Sequence, residues 1–426
     1  MIFSLATGEK RCLTTPSFAS IGDAEPAVSN QGTVAFIRMQ TGGFGDVYTV
    51  PLSGGTPTRL THDNKPICCL MWSPNGQYVL FGVDLGGLRR VWRVPAAGGP
   101  AVPDTVYPGL GTLSRDGRRL AYLANIEGSG LGSMSDLNNV ETSGLSSIWS
   151  AELVRAGGEV ISQHRIIASA RISSSSQLSP DGLQIAFEWK RSGNPEIWKS
   201  NADGSNPLQL TFGKDTSWAG TPRWSPDGKW IAFDNRPSGY SQIWLMDSEG
   251  RNQRVIVSGN SENNVPSWSR SGAALYFSSN RTGQWQIWKR TMANGLETQV
   301  TRNGGFAAFE SYDGRELYFS KFEGGGLWKM PIEGGEEQRI ATAPHLGYWG
   351  YFAVTEAGIY VLDSDAEPGP TIMYFDSETG QMKPVLTLKQ DPLPWTASLD
   401  ATRDGKTLFF AQGDSRSSIT MIEYSH

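Results

Sequence analysis

A glycine closes a similar short turn at nearly constant intervals along this chain. The intervals are 44, 41, 65, 46, 44, 42, 44 and 47 residues, between Gly32, Gly76, Gly117, Gly182, Gly228, Gly272, Gly314, Gly358 and Gly405. Self-similarity at such a period is the signature of a repeat architecture, in which each repeat is one supersecondary unit that packs on its neighbours. The chain must therefore fold as a series of similar units, most of them 41–47 residues long.

Each unit is predicted to contain four short strands. The best-preserved copy has Trp-Ser-Pro-Asp-Gly at 224–228, an apolar run at 231–233 and Ile-Trp at 243–244, and other copies end in Leu-Thr or Val-Thr. Proline presets φ and glycine supplies a positive φ, so Ser-Pro-Asp-Gly is a tight turn between strands. Four strands in 40–45 residues are typical of a propeller blade. We therefore predict an all-β protein, a β-propeller with eight to nine four-stranded blade motifs.

The two ends of the chain leave the ring count open. Residues 1–15 have the pattern of third and fourth strands, whereas the C-terminal copy ends after its third strand. Shared ends would close one ring over 1–426, but both ends offer a third strand. The alternative is parts of two rings, with a possible boundary near 155–175. The interval of 65 residues holds an insert loop at 125–144, rich in Gly, Ser and Asn, which is either a lid or partner loop or a plain insertion.

Charge and hydropathy exclude several classes of function. Lys+Arg number 37 against 42 Asp+Glu, giving a net charge of −5 with no basic run, so direct nucleic-acid binding is not expected. No apolar stretch reaches 18 residues and the N-terminus lacks a signal-peptide pattern, so we expect no membrane segment and no export signal in this sequence. With only three cysteines, a disulfide framework or zinc site is not expected either.

Catalytic motifs are missing from the sequence. It contains no G-x-S-x-G elbow, no H-E-x-x-H and no P-loop, and its four histidines (His62, His164, His345 and His426) are not spaced as metal ligands. Asp363-Ser-Asp365 lacks the glycine and distant glutamate of an EF-hand loop. We therefore predict no catalytic residue, no bound metal and no cofactor.

The loops that vary between units are the candidate binding surface. In a four-stranded blade, the loops between strands two and three lie on the same face as the connections to the next blade, and variable loops on a rigid scaffold commonly bind. The uniform Ser-Pro-Asp-Gly turns suit a structural role on the other face. The candidates are Arg191, Arg236, Tyr240, Arg281 and Trp285 in the two-to-three loops, and Trp218, His345 and Trp349 in the connections between blades.

The three loop arginines allow two interpretations. Arg191, Arg236 and Arg281 could surround the channel mouth and bind an anionic group, because guanidinium groups pair well with carboxylates and phosphates. They could instead join neighbouring blades by bonding turn carbonyls or carboxylates. The tryptophans that recur at one position in successive units are interpreted as blade packing, at 92, 149, 198, 244, 288 and 328.

The units resemble the TolB-type propeller repeat, whose pattern is a Ser-Pro-Asp-Gly turn, an Ile-Ala-Phe strand and an Ile-Trp strand. The match is closest at 220–233, 265–289 and 300–320, while Asn75, Ser271 and Tyr312 depart from the turn pattern. The whole arrangement, including residues 303–311, is similar to the C-terminal propeller of bacterial OmpR/CadC-type winged-helix transcriptional regulators.

That second resemblance implies a sensing or protein-interaction role, with a protein, peptide or small envelope ligand on the variable-loop face. It also implies a DNA-binding domain and usually a membrane helix, neither of which is among these 426 residues. In that family the propeller lies beyond the membrane, whereas the sequence as written carries no export signal, so the compartment is left open.

Two functions are therefore compatible with the sequence. The first is a non-enzymatic binding or sensory module. The alternative is the propeller domain of a prolyl oligopeptidase-type hydrolase, or a propeller polysaccharide lyase. The hydrolase would need a catalytic domain carrying a nucleophile elbow. The lyase would need several histidines and acidic ligands that converge on the channel.

Overall fold

A computed structural model describes most of the chain. It covers 2–3, 7–16, 22–41, 44–62, 65–85, 88–105, 111–113, 119–125, 145–168, 173–191, 194–213, 217–237, 240–321, 326–341, 352–364, 366–389, 399–414 and 417–423. Within these ranges every regular element is a β-strand, which confirms the predicted all-β fold. The insert loop predicted at 125–144 lies outside the described residues beyond Asn125.

The chain divides into two compact units. Unit 1 comprises Met1–Ser143 and Ser415–His426, and unit 2 comprises Gly144–Asp414. The single ring over 1–426 and the possible boundary near 155–175 stay predictions. The strand at 145–153 pairs with the strand at 407–414 from the other end of unit 2, and the strand at 160–168 pairs with 145–153.

Unit 1 contains antiparallel sheets of the predicted kind. Its strands are β1 (Ile2–Phe3), β2 (Lys10–Arg11), β3 (Gly22–Val28), β4 (Thr33–Thr41), β5 (Phe44–Pro51), β6 (Thr58–Arg59), β7 (Lys65–Trp72), β8 (Tyr78–Leu85), β9 (Leu88–Pro95), β10 (Val102–Pro103), β11 (Gly111–Leu113) and β12 (Arg119–Asn125). Strands β3 to β6 and β7 to β10 are two four-stranded repeats, joined by a short β5–β7 pairing. Strand β1 pairs with β2, and β11 with β12.

Unit 2 contains six four-stranded sheets. One, the closing blade, combines β13 (Leu145–Leu153) and β14 (Val160–Ala168) with β35 (Leu399–Ala401) and β36 (Thr407–Asp414). The other five follow in chain order: β15 (Ser173–Leu178), β16 (Gln184–Trp189), β17 (Glu196–Asn201), β18 (Leu208–Gln209); β19 (Trp218–Trp224), β20 (Trp230–Arg236), β21 (Gln242–Asp247), β22 (Arg254–Val257); β23 (Asn263–Trp268), β24 (Ala274–Ser279), β25 (Gln286–Thr291), β26 (Glu297–Gln299); β27 (Ala308–Glu310), β28 (Glu316–Ser320), β29 (Leu327–Pro331), β30 (Gln338–Ala341); β31 (Phe352–Val354), β32 (Gly358–Asp363), β33 (Thr371–Asp376), β34 (Met382–Thr387). The last strand of the chain, β37 (Ser417–Glu423), belongs to unit 1, where it pairs with β12.

The six sheets of unit 2 close into a ring. The first strand of one blade contacts the first strand of the next, as in β15 with β19, β19 with β23 and β23 with β27. Phe309 of β27 packs edge-on against Phe352 of β31, with ring centroids 5.1 Å apart. Strand β35 contacts both β31 and β15. Unit 2 is therefore a six-bladed propeller, in which the first strands surround a central channel.

Five of the six blades of unit 2 repeat one cross-strand pair in their core. In the middle of these sheets a phenylalanine of the second strand lies directly opposite a tryptophan of the third, as in Phe233↔Trp244 and Phe277↔Trp288, whereas the β31–β34 sheet has Val361 opposite Met373. The phenylalanines are buried, and directly opposed aromatic side chains stabilise a sheet by up to about 1 kcal/mol per pair. This pairing explains why Ile-Ala-Phe and Ile-Trp recur at a fixed distance in the sequence.

The Ser-Pro-Asp-Gly turn is closed by its own side chains. Ser225 Oγ donates to Asp227 Oδ1 over 2.6 Å, and the Trp230 N–H donates back to Ser225 Oγ over 3.0 Å. Gly228 completes the turn at φ +69°, in the left-handed region, where a Cβ is unfavourable. The sequence pattern therefore specifies both the backbone shape and the bonds that hold it.

Gly228→Ala should lower the free energy of unfolding by about 1–2 kcal/mol, because alanine must adopt the same left-handed conformation. Urea denaturation monitored by tryptophan fluorescence measures this change. Gly369→Ala is the matched control, since its added Cβ would meet only ordinary contacts, the nearest at 3.7 Å, outside the left-handed region. Equal losses in the two variants would contradict the explanation.

Candidate ligand-binding channel of unit 2

Arg236, a predicted site residue, joins two neighbouring blades. Its Nη1 donates to Glu262 Oε1 over 2.9 Å and its Nη2 to Glu262 Oε2 over 2.5 Å. Glu262 precedes β23 of the next blade, is completely buried, and also accepts the Ser241 N–H. The Arg236 guanidinium is thus held by a buried carboxylate.

The other two loop arginines also have contacts within the protein. Arg281 Nη1 lies 2.5 Å from Glu297 Oε2, and its Nη2 donates to Asn263 Oδ1 over 2.9 Å. The Arg281 guanidinium carbon lies 4.6 Å from the ring centroid of Trp288. Arg191 stacks in the same way on Trp189, at 5.0 Å. These contacts of Arg281 and Arg191 lie within their own blades, and the choice between the two interpretations of the arginines stays a prediction.

The aromatic candidates are distributed over different environments. The Trp218 ring centroid lies 4.6 Å from Lys190 Nζ, and Trp285 is buried edge-on against Phe306. Tyr240 is 41% exposed. His345 and Trp349 lie outside the described residues. Ligand binding by this set of residues stays a prediction.

A large cavity of unit 2 lies at the other end of the channel. It has a volume of about 710 Å³ and is bounded by the first strands and by turns between first and second strands, including 179–182 and 402–404. None of the six predicted site residues that the structure describes lines it. Sequence reasoning missed this site because the turns around it are uniform, whereas the channel wall is formed by side chains from strands far apart in the chain.

Arg223 is the buried cation of this cavity wall. It lies on β19, is 5% exposed, and its Nη1 donates to the adjacent Pro222 carbonyl over 3.0 Å. Its Nε has no hydrogen-bond partner among the described residues, and none of their carboxylates forms an ion pair with it. Burial lowers the pKa of the guanidinium, opposed by the charges of Asp400 and Asp234. The sequence signal was the long cation itself, since the other copies carry Gln177, Ser267 or Phe309 at this position.

Asp400 supplies a buried carboxylate from the closing blade. Its Oδ2 accepts the Leu178 N–H over 2.8 Å, which links β35 to β15. Burial raises the pKa of Asp400 to about 6, while hydrogen bonds and the charges of Arg223 and Arg270 act in the opposite direction. Arg223 and Asp400 both line the cavity, but they do not form an ion pair with each other.

Similar bonds connect successive first strands around the channel. The Trp224 N–H donates to Gln177 Oε1 over 2.6 Å, and Ser267 Oγ donates to the Ala308 carbonyl over 2.5 Å. In both cases the side chain one position before the end of a first strand reaches the first strand of the next blade, in the same way as Asp400. At the corresponding position Arg223 instead donates within its own strand.

The rim of the cavity contains a second arginine. Arg270 Nη2 donates to the Glu310 carbonyl over 2.9 Å, and its guanidinium carbon lies 3.7 Å from the ring centroid of Tyr312. The Glu310 side chain accepts the Arg270 N–H over 2.6 Å and the Tyr276 hydroxyl over 2.8 Å. These bonds fix the rim, so the cavity has preformed walls.

A second buried cluster contains two carboxyl groups beside Gly220. Glu188 Oε2 and Asp234 Oδ1 would lie 2.9 and 3.3 Å from a Cβ at that position. Asp234 accepts the Val265 N–H over 3.0 Å and the Thr221 hydroxyl. Burial raises the pKa of Glu188 to about 8, since the opposing charge of Lys190 and the Trp218 hydrogen bond only partly compensate. Glu188 is thus mainly protonated at pH 7.

The described residues contain neither a metal cluster nor a membrane-spanning helix. No group of three or more His, Cys, Asp and Glu side chains in the described part of the chain is placed to hold a metal ion. The described residues also include no helix with the length and hydropathy of a membrane span.

Comparisons with known proteins agree with this architecture. A family model described as the TolB beta propeller domain matches residues 214–347. The chain is similar to a solved structure described as TolB from Agrobacterium tumefaciens, at a TM-score of 0.53 and 18% identity, covering 64% of this chain and 100% of that one. TolB from Acinetobacter baumannii matches at 0.45 and 16%, with 64% and 66% covered. A puromycin-hydrolysing peptidase of Mycobacterium tuberculosis matches at 0.40 and 14%, with 91% and 59% covered.

At this level of identity the likeness describes the fold alone. The family match and the first structural match together support a TolB-like β-propeller, as the repeat pattern predicted. The likeness to the propeller of a transcriptional regulator stays a prediction.

Glu188→Gln should stabilise the protein at pH 7 and have little effect at pH 4.5. Below its ordinary pKa of 4.5 the carboxyl is protonated in both the folded and the unfolded chain, whereas between 4.5 and about 8 only the unfolded chain ionises. Stability contributed by this group is therefore lost as the pH rises through that window, by on the order of 3 kcal/mol at pH 7.

Urea denaturation at pH 4.5, 6 and 7 measures the effect. The control is Glu336→Gln, which makes the same change at an exposed side chain. A Glu188→Gln variant with the same pH dependence as the wild type would show that the carboxyl is already ionised in the folded protein.

Proposed function

We propose that unit 2 is a non-enzymatic binding module and that its ligand occupies the cavity at the channel end bounded by the Ser-Pro-Asp-Gly turns. The observation that carries this proposal is a preformed space of about 710 Å³ with buried charged groups and aromatic side chains in its wall. Ligand sites are characteristically concave, mostly preformed, and lined by apolar groups with a few fixed polar ones. The ligand class is a protein segment, a peptide or a small envelope molecule.

The rigidity of the wall supports a binding role. Leu178, Trp224 and Arg270 donate backbone N–H groups to side chains of neighbouring blades, and Phe309 and Phe352 pack edge-on. A site that is already ordered loses little conformational entropy when the ligand binds. The same arrangement suits a sensor, because occupation of the cavity would bias the packing between blades.

We extend the proposal to sensing, on the likeness of the repeats to the propellers of winged-helix transcriptional regulators. In this role the propeller binds an envelope ligand or protein partner, and the response is transmitted by parts of the protein other than unit 2. The lyase alternative is less well supported, since the described residues that line the cavity include carboxylates but no histidine.

Filling the cavity should abolish ligand binding without unfolding the protein. Val354 lines the cavity at the end of β31 and is half-buried, so Val354→Trp introduces a large side chain there. The Tm is measured by thermal denaturation in the presence of each member of a panel of tripeptides, carboxylic acids, sugar phosphates and neutral sugars. A ligand near 100 times its Kd stabilises by about 2.7 kcal/mol, which raises Tm by several degrees.

We expect at least one class in the panel to raise the Tm of the wild type and to lose this effect in Val354→Trp. Val154→Trp is the matched control, since Val154 is exposed and lies outside the cavity lining. The absence of any shift in the wild type, or an equal shift in both tryptophan variants, would refute the proposed site.

A further inference from the structure

Arg223 is buried in a wall of the cavity and forms no ion pair with a described carboxylate, although the charges of Asp400 and Asp234 act on it from a distance. Its Nη1 bonds only the neighbouring Pro222 carbonyl, its Nε has no partner among the described residues, and its guanidinium carbon lies 5.4 Å from the Phe309 ring centroid. A buried charge is costly unless an opposite charge or hydrogen bonds compensate it. The other buried arginine of the blade, Arg236, has that compensation from Glu262. Arg236 is therefore already bonded to a carboxylate, whereas Arg223 is bonded only to a backbone carbonyl.

The position of Arg223 is held independently of any ligand. Its carbonyl accepts the Trp268 Nε1–H over 3.1 Å, and the bulge that precedes it places Thr221 at φ +46°. The Thr221 hydroxyl in turn donates to Asp234. A guanidinium on a fixed backbone offers its planar set of N–H donors to a carboxylate with little loss of conformational entropy. The wall therefore contains a preformed donor for an anion.

We propose that the cavity binds its ligand through a carboxylate group that pairs with Arg223, while the apolar part of the ligand packs against Phe309 and Phe352. This inference rests on the proposed function and specifies the class of ligand. A carboxylate is planar and can accept two parallel N–H bonds from one guanidinium, which makes this pairing both strong and oriented.

The charges around Arg223 favour a single negative charge over a phosphate dianion. Asp400 and Glu310 line the same cavity, and Arg270 directs its guanidinium at backbone carbonyls of the rim. A doubly charged group would face the Asp400 carboxylate with only one deep cation to compensate it. A monoanion brings half the negative charge of a dianion to the wall that holds Asp400, so it is repelled less there while it still pairs with Arg223.

Two sources could supply this carboxylate, and matched probes distinguish them. One source is the C-terminus of a peptide, represented by N-acetyl-Ala-Ala-Phe with a free carboxylate and by the same peptide with a C-terminal amide. The other is a small free acid, represented by 3-phenylpropionate and its amide. Inorganic phosphate serves as the dianion. Calorimetric titration of the full chain at pH 7 gives the affinity for each probe.

We expect at least one carboxylate to bind at least 10-fold more tightly than its amide and than phosphate. Arg223→Gln should lower the affinity for that carboxylate at least 10-fold and leave the affinity for the amide unchanged, because only the charged pairing is lost. Arg223→Lys keeps the cation but loses the planar donor pair, so a smaller loss of affinity for the carboxylate is expected. This variant replaces Arg223→Gln in the experiment if the glutamine variant does not fold. Arg165→Gln, at an exposed arginine of β14, is the control.

The outcomes separate this inference from the proposed function. If a peptide carboxylate alone binds, the ligand is a chain terminus, and if only the small acid binds, it is a free metabolite; both outcomes support the inference. Equal binding of acid and amide, or full affinity in both Arg223 variants, would overturn it. A neutral ligand that Val354→Trp excludes would also overturn it while leaving the cavity as the binding site.

Discussion

The architecture of unit 2 depends on the pairing between β13 and β36. These strands come from opposite ends of the unit and are in continuous antiparallel register from Leu145↔Asp414 to Glu152↔Thr407. Without that pairing, β35 would not be held beside β15, and Asp400 would not reach the Leu178 N–H. The closing blade thus determines both the ring and the position of a buried carboxylate in the channel wall.

In the blades of unit 2, strands at the same position within the blade have similar roles. The second and third strands provide most of the aromatic core, and the first strand faces the channel. In four blades the turn between the first and second strands is closed by a Ser or Thr that bonds an Asp, as Ser225 bonds Asp227. Because the first strands carry little of the core aromatic packing, their side chains can differ between blades. This division explains why Gln177, Arg223 and Ser267 occupy equivalent positions but make different contacts.

Local features of the fold were predictable from the sequence, and long-range features were not. The turn at 225–228 and the Phe233–Trp244 pair are specified by residues close in sequence, so their period predicted four-stranded blades. The six-bladed ring depends on β13 meeting β36, which no local pattern encodes. The candidate site depends on the convergence of Arg223 and Asp400 from strands far apart in the chain. The sequence therefore predicted binding at the variable loops, whereas the cavity lies beside the uniform turns.

The central claim is that the channel end beside Arg223 and Asp400 is where unit 2 meets its ligand. Hydrogen–deuterium exchange of the full chain, with and without N-acetyl-Ala-Ala-Phe at saturating concentration, tests it most directly. The account predicts that added protection concentrates in β19, β27 and β35 and in the turns at 179–182 and 402–404. Protection confined to the loops that contain Arg191, Tyr240 and Arg281 would place the ligand on the opposite face and contradict the account.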